Sequence, residues 1–448
     1  MENKKEFYRK LFKVALPIAL QSLIVSSLNM FDTFMVGSLG DEAVASVGIG
    51  NQFFFLLSLI FFGISGGCSM YLSQFWGKND KENIRRIVGV GVITVTIIGV
   101  IFTIMALSFP GVIIKVFSRE TNVVIMASAY LRIVSISYVV TGITLILSAT
   151  LKCMEKTIVP MIVSFIAVII NIVLNYILVL GKFGFSAYGV RGSAMATVIA
   201  RIIECGLILY ITFNKRSVIA GKLKEFIDFN KKFYFGIIKD VLPVVINESC
   251  WALATISYSI AYGFIGTSAQ ASIQICNNVQ NLFMVITFGV ANGSLVMIGN
   301  VVGSGNEEKA KSYAHRFYFI SIFIGVLLGI TMTASSSFVL SFFNVSQAVV
   351  KSSKDILKIM ALIAPFRVFN IIAVVGILRG GGDIKKAMYI EVSTMWFIGV
   401  PMAFLGSLLF NLPVAYVVAL TCLEELVKFI LCVIRLRSNK WIRNVTTN

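Results

Sequence analysis

The chain has 448 residues, of which 57% are hydrophobic and only 13% charged. A soluble protein of this size carries about 25% charged residues, so a water-soluble globular fold is excluded. The net charge of +18 admits a nucleic-acid partner only until the charges are placed along the chain.

Apolar runs of 20 or more residues recur along the whole length. Each is long enough to cross a bilayer, which takes about 20 residues at about 1.5 Å each. The runs are continuous rather than alternating, which argues against a membrane barrel. Twelve spans are predicted, over 12–37, 50–76, 87–116, 122–150, 157–181, 188–213, 236–263, 268–302, 311–342, 355–378, 386–410 and 413–434. The fold class is therefore an all-α polytopic membrane protein. The first run is too long for a signal peptide and has no small-residue cleavage site, so it is read as a span. Numbering the loops alternately from the N-terminus puts 28 of the 39 Lys and Arg on one side and 7 on the other. The remaining four, Arg132, Arg201, Arg367 and Lys428, fall inside spans. Such a bias places both termini in the cytoplasm, with the chain in the cell membrane. The basic balance then reflects topology and no nucleic-acid partner is expected.

Sliding the chain by 226 residues lays "LPIALQSLIVSSLNMFDTFMVGSLG" on "LPVVINESCWALATISYSIAYGFIG". Pro17 meets Pro243, Gly40 meets Gly266, Asn51 meets Asn277, Gly63 meets Gly289 and Gly67 meets Gly293. At an offset of 227, "LKCMEKTIVPM" falls on "LRGGGDIKKAM". Each half holds six spans, an even number, so the halves are parallel repeats. The expected division is an N-lobe over 1–214, a cytoplasmic linker over 215–235 and a C-lobe over 236–448 with a basic tail. The stretch "NKRSVIAGKLKEFIDFNKK" is basic and amphipathic, and is expected to lie on anionic lipid.

Ionisable residues inside a membrane are costly and mark functional positions by default. Asp32 lies about eight residues, or roughly 12 Å, below the outer end of span 1. Asn171 and Asn175 in span 5 are four apart, so they share a helix face. Thr197 in span 6 lies at the same depth. Four oxygen-bearing side chains at one level suit either a proton or a desolvated alkali cation. The alternative is that Asp32 locks helices together by hydrogen bonding to an asparagine. In the second half Tyr258 stands where Asp32 stands in the first. Glu248 in span 7, Arg367 in span 10 and Glu391 in span 11 are expected to form a polar network, with Arg367 paired to Glu248 or Glu391. Arg201 with Glu204, and Glu425 with Lys428, are three apart and read as intrahelical pairs.

Seven scattered cysteines read as packing residues. The single His315, placed in a cytoplasmic loop, gives no His-rich metal site. "GSGNEEK" and "RGGGD" read as hairpin turns. No G-x-x-x-x-G-K-[ST] occurs, so ATP is not an expected partner. No nucleophile–base constellation is visible, no cofactor is implied, and an enzyme is not expected.

"DTFMVGSLGDEAVASVGIG" after span 1, "GVRGSAMATVIAR" into span 6 and "GILRGGGDIKKAM" after span 10 resemble the multidrug and toxic compound extrusion (MATE) family, and the resemblance covers essentially the whole chain. It implies export of amphiphilic, mostly cationic, drugs in exchange for sodium ions or protons. It also implies that Asp32 is essential and that Asn171, Asn175 and Thr197 join it in the ion site. Proton-type prokaryotic members often carry Asp at the second span 5 position, where this chain has Asn175. Sodium-type members use a span 7 Glu and a span 10 Asp. Here Glu248 comes about one turn earlier and span 10 has no acid, so the coupling ion stays open. The alternative function is a lipid-linked saccharide flippase of the same superfamily, which would want a cationic cavity that this chain's four intramembrane cations do not build. A monomer with small organic cations and membrane lipids as its partners is the expected state.

Overall fold

The computed structural model describes residues 4–214, 219–341, 343 and 345–447. Among the described residues every regular element is helical. The first half runs α1 (Lys4–Gly37), α2 (Asp41–Gly77), α3 (Lys81–Ser108), the short α4 (Pro110–Lys115), α5 (Thr121–Val134), α6 (Tyr138–Cys153), α7 (Ile158–Leu180) and α8 (Gly189–Phe213). A single turn of 3₁₀ helix joins α5 to α6, so they form one span. After the one-turn α9 (Leu223–Phe226) come α10 (Lys231–Ile265), α11 (Thr267–Gly303), α12 (Glu307–Leu340), α13 (Gln347–Ile371), α14 (Ile384–Thr394), α15 (Val400–Phe404), α16 (Val414–Thr421) and α17 (Leu423–Arg437).

Among the described residues, eleven helical stretches are long and apolar enough to cross a membrane. The twelfth predicted span is present as α16 and α17, which meet at Cys422. Large apolar side chains such as Phe34, Phe323, Leu362 and Phe397 are exposed, as lipid-facing residues must be. Three stretches are π-helical: Ile372–Leu378, Met395–Gly399 and Leu405–Leu409. They continue α13 and flank α15, so spans 10 and 11 are not uniform α-helices. His315 lies within α12 rather than in a loop.

The repeat reappears as geometry. Gly40 (φ 102°) and Gly266 (φ 132°) each open a helix that follows a sharp corner, a backbone region where glycine is favoured. Asp80 accepts from the Asn83 amide to cap α3, and Asn306 accepts from the Lys309 amide to cap α12. Such caps contribute about 1 kcal/mol each. The Gly-rich turns are indeed corners, with Gly305 and Gly382 at positive φ.

The chain divides into two compact units, Leu20–Val245 and Met1–Ala19 with Ile246–Asn448. This differs from a division into six-span halves, because the boundaries fall inside α1 and α10, two residues after Pro17 and Pro243. The reason is glycine packing. In Leu20–Val245, Gly63 and Gly67 of α2 face Val245 and Val241 at the start of α10. In the other unit, Gly289 and Gly293 of α11 face Ala19 and Ala15 of α1. A Cβ at Gly63 would lie 2.6 Å from the Val245 Cα, and one at Gly289 would lie 2.6 Å from the Ala19 Cβ. These contacts are the same pairs, shifted by 226. The start of α1 is pinned further by Phe7, fully buried against Tyr313 and Phe317.

The linker meets protein. Arg85 of α3 pairs with Glu225 and donates to the carbonyls of Ile219 and Ala220 at 3.3 and 2.8 Å. Phe226 is buried. Lys222, Lys224, Lys231 and Lys232 remain exposed, while Lys215 and Arg216 lie outside the described residues. The tail also docks. Arg435 binds the buried Asp383 at 2.6 Å, the Arg443 amide donates to the Gly381 carbonyl at 2.7 Å, and Trp441 is buried against Gly381.

Candidate functional site

α7 is apolar along most of its length, and two buried amides interrupt it. Asn171 and Asn175 lie one turn apart and are almost fully inaccessible. Asp32 sits in the last third of α1, five residues before its end, and is partly buried. The Asn175 Nδ2 donates to Asp32 Oδ1 at 2.6 Å and to Asn171 Oδ1 at 2.8 Å. The Asn171 Nδ2 faces Thr197 Oγ1 of α8 at 3.4 Å. The four residues picked out by depth and helix face therefore form one continuous chain across three helices. The Asn175 Oδ1 is buried and has no hydrogen-bond partner. An unsatisfied buried acceptor costs about 1–3 kcal/mol, which a bound cation would relieve. Any cation at Asp32 would meet one carboxylate and neutral oxygens.

A second network lies beside the first. Arg201 and Glu204 pair at 2.8 Å, as their spacing predicts. Glu204 also accepts from Ser164 at 2.9 Å, and Gln21 donates to Ser164 at 2.9 Å. A cavity the size of about one water molecule separates the two networks, lined by Leu28, Ser164, Asn171, Thr197, Arg201 and Glu204. Gln21 and Ser164 escaped the sequence analysis because neutral polar residues are common in spans and these two carry no charge to flag them.

In the second half the expected pairings of Arg367 are corrected. Arg367 binds Glu425 of α17 at 3.1 Å, and not Glu248 or Glu391. Asn370 donates to the Glu425 carboxylate at 2.7 Å and to its main-chain carbonyl at 2.8 Å. Lys428 stands 3.9 Å from Glu425, again as its spacing predicts. Glu248 and Glu391 instead share Arg379, at 3.0 and 3.9 Å, and Asn247 donates to Glu391 at 2.8 Å. Arg379 is left in a loop by the predicted span 10, which ends at residue 378. It directly follows the π-helical Ile372–Leu378 and is only 6% exposed. Counting depth along an ideal helix misplaces residues beyond such a segment.

The MatE family model matches residues 17–177 and again 243–405. The chain belongs to the MatE family. Both matches begin at a repeat proline, and the first includes Asp32, Asn171 and Asn175, while Thr197 lies beyond it. MatE proteins are membrane transporters, not an enzyme family. The chain is 26% identical over 440 residues to an uncharacterized transporter, YisQ, of Bacillus subtilis, covering 97% of this chain and 95% of that protein. It is 25% identical over 412 residues to a probable multidrug resistance protein NorM of Thermotoga maritima, covering 92% and 88%. Among solved structures, a MOP superfamily transporter from Pyrococcus furiosus superposes with a TM-score of 0.86 at 20% identity over 96% of both chains. An outward-facing multidrug resistance MATE family transporter does so with a TM-score of 0.85, also at 20% identity over 96% of both. These two likenesses show the two-lobe, all-helical transporter fold.

Proposed function

We propose that this MatE transporter is a secondary active antiporter that exports amphiphilic, mostly cationic, drugs or xenobiotics in exchange for sodium ions or protons. The observation that carries the proposal is the chain from Asp32 through Asn175 and Asn171 to Thr197. The carboxylate's hydrogen bond there comes from a neutral amide, so ion uptake changes the charge of the site. A proton would neutralise Asp32, and a sodium ion could use the carboxylate together with the unpartnered Asn175 oxygen. Coupling further requires that ion and drug prefer different conformations, since a ligand with equal affinity for both shifts nothing. Relatives named for multidrug resistance favour this reading over a lipid-linked saccharide flippase. We also take both termini to be cytoplasmic, from the distribution of Lys and Arg. Labelling a single cysteine placed at Lys440 from the outside only would contradict that.

The test is transport of a fluorescent lipophilic cation in liposomes under separate sodium and proton gradients. Wild type should respond to one gradient. Asp32→Asn, folded and reconstituted to the same level, should lose nearly all of that response. Equal transport by the variant would reduce Asp32 to a structural role.

A further inference from the structure

The repeat relation invites a search for what the second half holds at the level of Asp32. Tyr258 occupies the matching position on α10, and its hydroxyl makes a short hydrogen bond to Glu424 of α17. After the second-half loop the offset is 227. It lays Cys432 on Cys205, Lys428 on Arg201 and Glu424 on Thr197. The first half thus has an acid on its first span and a hydroxyl on its sixth. The second half has the hydroxyl on its first span and the acid on its sixth. We propose that Glu424 is a proton-binding carboxylate in its own right, a site distinct from Asp32 and independent of the reading given to Asp32.

Four observations support the assignment. Glu424 is only 5% exposed, in the first turn of α17. Its neighbour Glu425 takes the fixed partners: the Arg367 guanidinium at 3.1 Å, the Asn370 amide at 2.7 Å and the Lys428 ammonium at 3.9 Å. Glu424 is left with a neutral phenol as its hydrogen-bond donor. Finally, the Asn370 Oδ1 in the same cluster is buried and unpartnered, so the cluster is not saturated.

The ligand is a proton rather than a metal cation for two reasons. Arg367 and Lys428 already act on this carboxylate, along with Glu425 and Tyr258, and Glu391 of α14 acts on Lys428. A further cation would face two fixed positive charges, with Glu425 committed to both. Space is also lacking. The π-helical Met395–Gly399 brings Gly399 so close to the Glu424 Oε2 and the Tyr258 hydroxyl that even a Cβ would collide with both. A proton needs one oxygen and no coordination shell. Ionised, the cluster balances Arg367 and Lys428 against Glu424 and Glu425. Protonated at Glu424, it carries one net positive charge.

The experiment is infrared difference spectroscopy on the full-length protein, isotopically labelled at the glutamate carboxyl group, between mildly alkaline and mildly acidic buffer. It reads protonation directly and needs no transport. Wild type and Asp32→Asn should show a buried glutamic-acid carbonyl component on acidification. Glu424→Gln should lose it. Persistence of the full component in Glu424→Gln overturns the proposal. So does a Glu424-dependent carboxylate change on adding sodium at alkaline pH, which would mean metal binding. If Glu424→Gln does not purify as a folded protein, Tyr258→Phe decides the matter. Removing the phenol should displace the carbonyl band, and an unmoved band would place the proton elsewhere.

Discussion

Two aspartates in this chain are buried in opposite ways. Asp383 is fully inaccessible and is gripped by the guanidinium of Arg435 at 2.6 Å, with Arg443 at 3.4 Å from its other oxygen. Asp32 takes its hydrogen bond from an amide. A carboxylate held by fixed cations has little reason to change its charge, whereas one held by neutral donors can do so at smaller cost. Glu425 is of the first kind, held by Arg367 at 3.1 Å with Lys428 at 3.9 Å. Glu425→Gln is therefore expected to destabilise the protein by about 3–5 kcal/mol, the cost of leaving a buried cation uncompensated. The paired change Glu425→Gln with Arg367→Met should recover much of that loss. Chemical unfolding in detergent would read both, and a loss below about 1 kcal/mol, the range of a surface pair, would contradict the argument. The sequence made Asp32, Asn171, Asn175 and Thr197 legible because each polar group stood alone in an apolar run at a countable depth. It hid the partners of Arg367, because four acids, Glu248, Glu391, Glu424 and Glu425, lie within spans of the same half and only packing selects Glu425.

At the scale of elements, corners and caps were readable from residue type. Gly40, Gly266, Asp80 and Asn306 carry their backbone roles in their chemistry. The π-helical stretches and the break at Cys422 were not readable. They leave no mark on hydrophobic periodicity, since spans 10 to 12 are apolar on most faces. The glycines of α2 and α11 are the strongest element-level constraint. Gly63→Leu should push α2 away from the α10 backbone, and Gly289→Leu should do the same to α11 and α1. Each is expected to cost at least the 1–3 kcal/mol typical of overpacking. Gly48→Leu is the control, because nothing lies within 4 Å of a Cβ there. Thermal unfolding of the three variants should separate the first two from the third, and equal midpoints would show that the helices can part without strain.

For the whole molecule, the repeat was legible because duplicated glycines and prolines keep their register over 226 residues. The composition of each compact unit did not follow, because a repeat in sequence says nothing about which half a given segment packs against. Leu20–Val245 draws its last helix segment from the second half, and the other unit draws its first from Met1–Ala19.

That exchange bears on how the protein is made. Synthesis runs from the N-terminus, so the first helix emerges long before Gly289, Gly293, Tyr313 and Phe317, the residues that receive its opening turns. Residues 4–19 cannot make these contacts until roughly 270–300 further residues have been added. A nascent chain arrested in the linker should therefore be protease-sensitive and short of its Gly63–Val245 seam, while one arrested past residue 245 should already protect the first unit. Equal protection of the two arrested chains would show that the first half closes without its borrowed segment. The order in which this transporter matures is thus written into two pairs of glycines.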